Sequence, residues 1–550
     1  MSTRLSSTSA SRRAVMGLAV TLLLSGIASS GSVLLLQRDY RFDDAFISYR
    51  YAKNLAEGYG LRWNRGEAPV EGYTNFLLVV ALAPLVRGGL DPLRVTQVMS
   101  VLAAVGLCWM VARLARRDYD ATRADALLVV SMFLSSGALG LLCVLGVETV
   151  IYTAALFATF ISLTAFLEVP QTRTLTVASL WLLVAFLLRP EALLLAVAAL
   201  LSLVGPGRRA SPGHCRFLRA RFVWIVGGVL VLPLTLYAGW KIVHFGDLLP
   251  APFYVKASGA RAVSALGIDS VLGYYGSVKA TVVLALLSAI LPKVSAESRR
   301  VALAFTALYT LFYVRVDTLM DVGYRFLYPV TPFLATLAMP SVVALGRALR
   351  SIPSAAVWPR VFAVAMAAVL LLYAEPIGTA RDVVAALRGR SLYAERPQGE
   401  YILAQRLAQY GDVRNLTIAL GDAGLVPYYT EALVIDAAGL NDRVISRGGE
   451  VGKLVDYAFA RRPTLILYPM HPDFSFIRHG HGPLGDLAQW AHHPGWRDYA
   501  YAGTFRHPGY YDIHLFARRD DPNFERLASF LRTHVADVVL DPLPFRLGPG

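Results

Sequence analysis

The chain has 550 residues, 55% of them hydrophobic, a mean hydropathy of +0.49 and a formal charge of +15. Such values exclude an ordinary soluble protein, and apolar runs of roughly 18–22 residues recur, each long enough to cross a hydrocarbon core about 30 Å thick. Most of the arginine lies in short loops between those runs, where membrane topology requires it, so the basic charge is no sign of a nucleic-acid partner.

The first apolar run, 14–36, follows Arg4, Arg12 and Arg13. Ala28-Ser29-Ser30 would serve as a signal-peptide cleavage site, but the run is longer than a usual signal core and reads as a retained first helix. The basic residues before it place the N-terminus in the cytoplasm. Residues 38–76 then form a polar stretch with adjacent acids, Asp43 and Asp44, and an amphipathic helical pattern over 45–57. The next apolar piece, 75–86, is short and contains Pro84. Were it to cross, Arg113, Arg116, Arg117 and Arg123 would fall outside, so it reads as a helix on the outer surface. The first outer loop therefore spans 37–94.

Further spans are expected at 95–111, 126–145, 150–167, 175–188, 192–204, 222–242, 273–291, 301–314, 326–345 and 361–373. The fold class is a polytopic α-helical membrane protein of about eleven spans, because a helix satisfies its own backbone within lipid. From about residue 375 the composition turns mixed. Strand-like runs at 416–420, 432–436 and 464–468 alternate with helical patterns at 401–410 and 451–461. This predicts a membrane domain over 1–374 and an outer α/β domain over 375–550. Cys108, Cys143 and Cys215 have no disulfide or metal spacing.

In this topology Asp43, Asp44, Glu148, Arg189, Glu191, His244, Asp247, Lys256, Asp321 and Arg325 all fall on the outer side, and we expect them to share a cavity. One carboxylate of the Asp43-Asp44 pair suits a general base for an acceptor hydroxyl; capping of the following helix by Asp43 is the plain alternative. Arg189-Pro190-Glu191 fits an anion site or a helix boundary with a local ion pair. Lys256 and Arg325 suit a departing phosphate, or snorkel to the interface. His479, His481, His492 and His493 have no accompanying ligands and read as loop residues, so no metal site is assigned. The Gly421-Asp422-Ala423-Gly424 turn falls short of a dinucleotide fingerprint and reads as structural.

The 43–76 run with its DDAFISYRYAKNLAEGYG and VEGYTNF pieces, GVETVIYT at 146–153, LRPE at 188–191, FGDLLP, FYVK, GYRFLYP at 323–329 and GDAGLVPYY with VIDAAGLND in the tail together resemble the bacterial terminal arabinofuranosyltransferase family of the GT-C superfamily. The resemblance spans nearly the whole chain. It implies an inner-membrane glycosyltransferase working on the outer face, with a polyprenyl-phosphate sugar as donor, arabinofuranose the leading sugar, and a cell-envelope glycan or glycoprotein as acceptor. It also implies Asp43 as the essential acid, supported by Asp44, and an outer C-terminal domain that binds acceptor. Arg189, Lys256 and Arg325 would bind the donor phosphate, and Glu148, Glu191, His244, Asp247 and Tyr73 the substrates. No cofactor is assigned, with room left for a divalent cation; the partners are donor, glycan acceptor and membrane lipid. The rival class is a non-enzymatic transporter or assembly factor, but a transporter should carry internal repeats, which the sequence lacks.

Overall fold

The computed structural model describes residues 2–134, 138–204, 221–257, 264–291, 296–318, 320–351, 361, 399–471, 490–506 and 511–541. The chain forms two compact units. A helical unit takes Met1–Asp39, Thr96–Tyr237 and Arg261–Ser391, and a mixed unit takes Tyr40–Val95, Ala238–Ala260 and Leu392–Gly550.

The first nine helices are α1 (Ser2–Leu36), α2 (Asp43–Ala56), α3 (Phe76–Arg87), α4 (Pro92–Asp118), α5 (Arg123–Leu134), α6 (Ala138–Val144), α7 (Thr149–Glu168), α8 (Thr172–Leu188) and α9 (Leu193–Val204). Next comes α10, Val223–Phe245, which includes a π turn at Gly227–Val231. It is followed by α11 (Ala251–Ala257), α12 (Ala265–Ser277), α13 (Lys279–Leu287), α14 (Ala296–Tyr313) and α15 (Thr331–Arg350).

Five helices are long and apolar enough to cross a membrane, or up to seven if each of two bent pairs is one span. Phe76–Arg87, Thr172–Leu188 and Pro190–Ser202 are apolar but shorter. The described residues thus carry fewer full-length spans than the eleven expected, and all but the first residue of the expected span at 361–373 lies outside them. The expected span at 273–291 is instead two helices, α12 and α13, bent by 75° at Val278. Gly273, Gly276 and Ser277 explain the break, since each is a weak helix former beside Ala or Leu. The expected 326–345 helix starts late, at Thr331, because Pro329 and Pro332 suit a first turn better than a helix interior. The core of the helical unit is aromatic. Phe333 of α15 meets Phe305 of α14 at 4.3 Å between ring centroids and Phe160 of α7 at 5.0 Å.

The mixed unit is built on a five-stranded sheet ordered β2-β1-β3-β5-β4. Its strands are β1 (Thr417–Leu420), β2 (Leu433–Asp436), β3 (Leu465–Met470), β4 (Tyr499–Arg506) and β5 (Asp512–Arg518). β2, β1 and β3 run parallel, with β5 and β4 added antiparallel. Helices α16 (Gly399–Leu407), α17 (Leu425–Thr430) and α18 (Val451–Ala460) accompany it. Leu454, Val455, Ala458 and Phe459 line one face of α18 at helical spacing and join Ile435, Ile466, Tyr468 and Trp496 in a single core. The first three strands match the sequence expectation. The β4–β5 pair does not figure in it, because both strands are buried on both faces and lack the alternation that marks a half-exposed strand.

Candidate functional site

The polar first loop folds as part of the mixed unit, and its helix α2 is enclosed. Ser48, Arg50 and Asn54 are all buried, as are Tyr49 and Tyr51. Buried polar groups need partners, and here other loops supply them. The Arg50 guanidinium donates to the backbone oxygens of Trp63 (2.9 Å), Pro427 (2.7 Å) and Ala432 (2.8 Å) and to Asn64 Oδ1 (3.1 Å). Asn64 treats β2 as a strand would: its Nδ2 donates to Val434 O at 2.9 Å and its Oδ1 accepts from Val434 N at 3.0 Å. Tyr51 donates to Val70 O at 2.7 Å and accepts from Gly72 N at 3.0 Å. A Cβ on Gly72 would lie 1.8 Å from Asn441 Oδ1, so only glycine allows this approach. Lys241 reaches Glu71 at 2.6 Å, with both side chains buried.

Asp43 is the first residue of α2 and is only 7% exposed. It does not cap its own helix; its Oδ1 accepts from Leu425 N at 2.6 Å, at the start of α17. Gly424 lies so close that an added Cβ would come within 1.9 Å of Asp43 O. The turn after β1, which the sequence suggested was structural, is therefore the seat of the strongest catalytic candidate. Asp44, the second residue of the helix, is half-buried.

Beside Asp43 lie Glu400 and Asp422, with Tyr511 hydrogen-bonded to both; the sequence reading gave none of the three a chemical role. A 20 Å³ cavity, about the size that holds one water, is lined by Asp43, Glu400, Asp422 and the apolar ends of β1 and β3. Tyr511 Oη lies 2.5 Å from Asp422 Oδ2 and 3.1 Å from Glu400 Oε1. A phenol has one proton, so serving both acids requires a proton on one of them. Burial first, then the charges of Glu400 and Asp422, hold the Asp43 carboxyl well above the usual range, against the Leu425 hydrogen bond that lowers it. Burial and Asp422 likewise push Glu400 up to about 8. The signal in the sequence was Asp422 within the turn, at the carboxyl end of a parallel strand where α/β folds place ligands. Glu400 and Tyr511 left none.

The other predicted residues fall into two groups. In the helical unit, Arg189 Nε donates to Glu148 Oε1 at 2.6 Å and its Nη1 lies 3.8 Å from Glu191. Tyr313 donates to the same Glu191 oxygen at 2.6 Å. The guanidinium of Arg325 sits 4.7 Å from the Phe326 ring, and Asp321 accepts from Phe326 N at 3.1 Å. Glu148, Arg189 and Glu191 thus form one network, in which the cation already faces two acids. In the mixed unit, Tyr73 packs edge-on against Tyr51 at 4.7 Å, and His244 stacks on Trp240 at 5.1 Å. Asp247 pairs with Arg443 at 3.2 Å and with Arg447. Lys256 lies in α11, and its side chain is outside the described residues. His493 is held by two neighbours. Its Nδ1 accepts from Gly495 N at 3.0 Å to cap a 3₁₀ turn, and its Nε2 is 3.0 Å from Asp456. His479 and His481 lie outside the described residues. Among the described residues no group of three or more His, Cys, Asp or Glu is placed to hold a metal ion.

No curated protein matches the chain in sequence. A family described as "Domain of unknown function (DUF8728)" matches residues 390–524, the stretch containing Glu400, Asp422 and Tyr511. Among solved structures, that of ArnT from Cupriavidus metallidurans bound to undecaprenyl phosphate is 14% identical, over 90% of this chain and 97% of that one, with a TM-score of 0.53. The same protein in the apo state is 12% identical, over 91% of this chain and 98% of that one, also with a TM-score of 0.53. The chain is thus a polytopic α-helical membrane protein with a C-terminal α/β domain, similar in fold over nearly its whole length to ArnT.

Proposed function

We propose that the chain is a glycosyltransferase of the GT-C type, taking a sugar from a polyprenyl-phosphate donor and passing it to a cell-envelope glycan or glycoprotein outside the cytoplasmic membrane. The likeness in fold to ArnT, crystallised with undecaprenyl phosphate, supports a lipid-phosphate donor. Arabinofuranose is the leading sugar on the motifs of the first loop. In this reading the N-terminus is cytoplasmic and the mixed unit extracytoplasmic.

The observation that carries the proposal is the state of Asp43. A general base works best when its proton affinity lies near the working pH, and burial beside Glu400 and Asp422 moves Asp43 upward in that direction. Ionised Asp43 takes the proton of the acceptor hydroxyl as that oxygen bonds to the anomeric carbon. The bond from that carbon to the phosphate oxygen breaks, and its electron pair leaves with the polyprenyl phosphate. Asp44 supports the base. Arg189, Lys256 and Arg325 are the cations assigned to the departing phosphate, and Glu148, Glu191 and His244 to substrate contact. Asp247 and Tyr73, given their partners, would act by holding the mixed unit in shape.

The test is transfer of labelled sugar from a polyprenyl-phosphate donor by purified protein. Asp43→Asn keeps an acceptor oxygen for Leu425 N and should lower turnover by about 100-fold or more, the usual share of a general base. Unimpaired transfer by this variant would remove Asp43 as the base. Absence of transfer with every lipid donor tried would favour the non-enzymatic class.

A further inference from the structure

The mixed unit has a second and much larger opening. A groove of 530 Å³ is lined by Lys53, Ala56 and Glu57 at the end of α2, by Val86 and Arg87 at the end of α3, by Gly89 to Pro92, and by Tyr428 and Tyr429 of α17. That volume falls within the range of about 300–1,000 Å³ typical of small-ligand sites. None of the residues assigned to the reaction lines it.

We propose that this groove binds a neutral saccharide. Resting on the transferase reading, the saccharide is a segment of the acceptor glycan. Three observations lead there. First, two adjacent tyrosines present ring surface whose position is set by packing. Tyr428 meets Phe46 edge-on at 5.1 Å, Tyr429 meets Tyr401 at 5.3 Å, and Tyr429 Oη accepts from Arg41 Nε at 3.4 Å. A rigid aromatic wall with a polar tip suits the C–H face and hydroxyl rim of a sugar ring, and ordering it at binding costs little. Second, the charged lining is balanced, with Lys53 and Arg87 against Glu57 and Asp91. A phosphate chain would meet two carboxylates there, whereas a polyol finds donors and acceptors side by side. Third, part of the charge is already committed, since Lys53 pairs with Glu431, and Glu57 with Arg65. What faces a ligand is therefore a hydrogen-bonding surface of small net charge.

The experiment uses the full chain in nanodiscs of zwitterionic lipid, with no donor present. Short neutral arabino-, manno- and gluco-oligosaccharides are the probes, followed by saturation-transfer NMR and calorimetry. At least one series should bind. Ala56→Trp, which fills the groove from a half-buried position, should weaken it by about tenfold or more, as loss of a central contact does. Arg87→Ala, at an exposed position, should weaken it by a smaller factor and serves if the bulky variant misfolds. Absence of binding by every series, or affinity unchanged in both variants, overturns the proposal. So does binding of phosphatidylglycerol, supplied in a second nanodisc preparation, that is lost in Arg87→Ala, which makes the groove a head-group site. Because binding is read separately from the transfer assay above, a protein inactive in that assay that binds sugar would sink the transferase reading alone, and an active protein with an empty groove would sink this one alone.

Discussion

The helical unit and the Asp43 cluster of the mixed unit bury acids in opposite ways, although elsewhere in the mixed unit buried Glu71 is paired with Lys241. Among the described residues of the helical unit each buried acid faces a cation. Glu148 and Glu191 face Arg189, and Asp125, which is fully buried, takes two hydrogen bonds from Arg350 at 2.7 and 3.1 Å. In the mixed unit Asp43, Glu400 and Asp422 face one another, with Tyr511 between two of them. An acid beside a cation keeps its charge when dehydrated, while acids beside acids retain protons. The first arrangement fixes geometry over a wide pH range. The second couples geometry to pH, which suits a group that must take up and release a proton.

Several experiments would break or sharpen this contrast. The largest effect is expected for Arg189→Ala, which leaves Glu148 buried without its cation and should cost about 3–5 kcal/mol. Yield and thermal stability in detergent measure it, and the double variant Glu148→Gln with Arg189→Gln should recover much of the loss. An equally poor double variant would show that the pair does more than neutralise itself. Gly424→Val should come next. Its Cβ meets the Asp43 backbone, and overpacking of this kind costs about 1–3 kcal/mol. Hydrogen exchange should locate the loosening in α2 and α17; protection unchanged there would contradict the seat described for Asp43.

Acidity gives a smaller and signed effect. Glu400 rises from an ordinary 4.5 to about 8 in the folded protein, so the native state binds the extra proton. Its contribution to stability is complete below about 4.5 and declines as pH rises to about 8. The unfolding temperature of the mixed unit should fall across that window, and less steeply in Glu400→Gln. A parallel pair of curves would refute the shared-proton picture. The smallest effect belongs to Lys453→Ala. Its pair with Glu450 is solvent-exposed on both sides and should change stability by less than about 0.5 kcal/mol.

Much of the fold could be read from the chain because its causes are local. Apolar runs fixed the helices, and short β-rich runs fixed the parallel half of the sheet. The bend at Val278 was hidden because Lys279 is the one charged residue in 273–291 and long apolar runs follow it, so the stretch still reads as a single span. The candidate site was half legible. Asp43 stood out by its polar surroundings, but its partners lie more than 350 residues away, and nothing near Glu400 or Tyr511 marks them. Capping by Asp43 was the right kind of contact on the wrong helix, since a side chain at the first turn can serve any donor that tertiary structure brings to it.

The hydrogen bonds of Asn64 to β2 carry a consequence for the order of assembly. They join residues 370 positions apart, and Asp43 and Leu425 are separated by 382. At ribosomal rates of about 5–20 residues per second, the later partner follows the earlier by tens of seconds. The loop bearing the acids is thus made first and must wait, its buried arginine and tyrosines still in water, until the last third of the chain arrives. A chain ending before residue 399 should expose that loop permanently and be cut within it by protease. Asp43 would then reach its dehydrated, proton-retaining state only as the final step of biogenesis, so an incomplete chain carries the motif without the surroundings that raise its proton affinity.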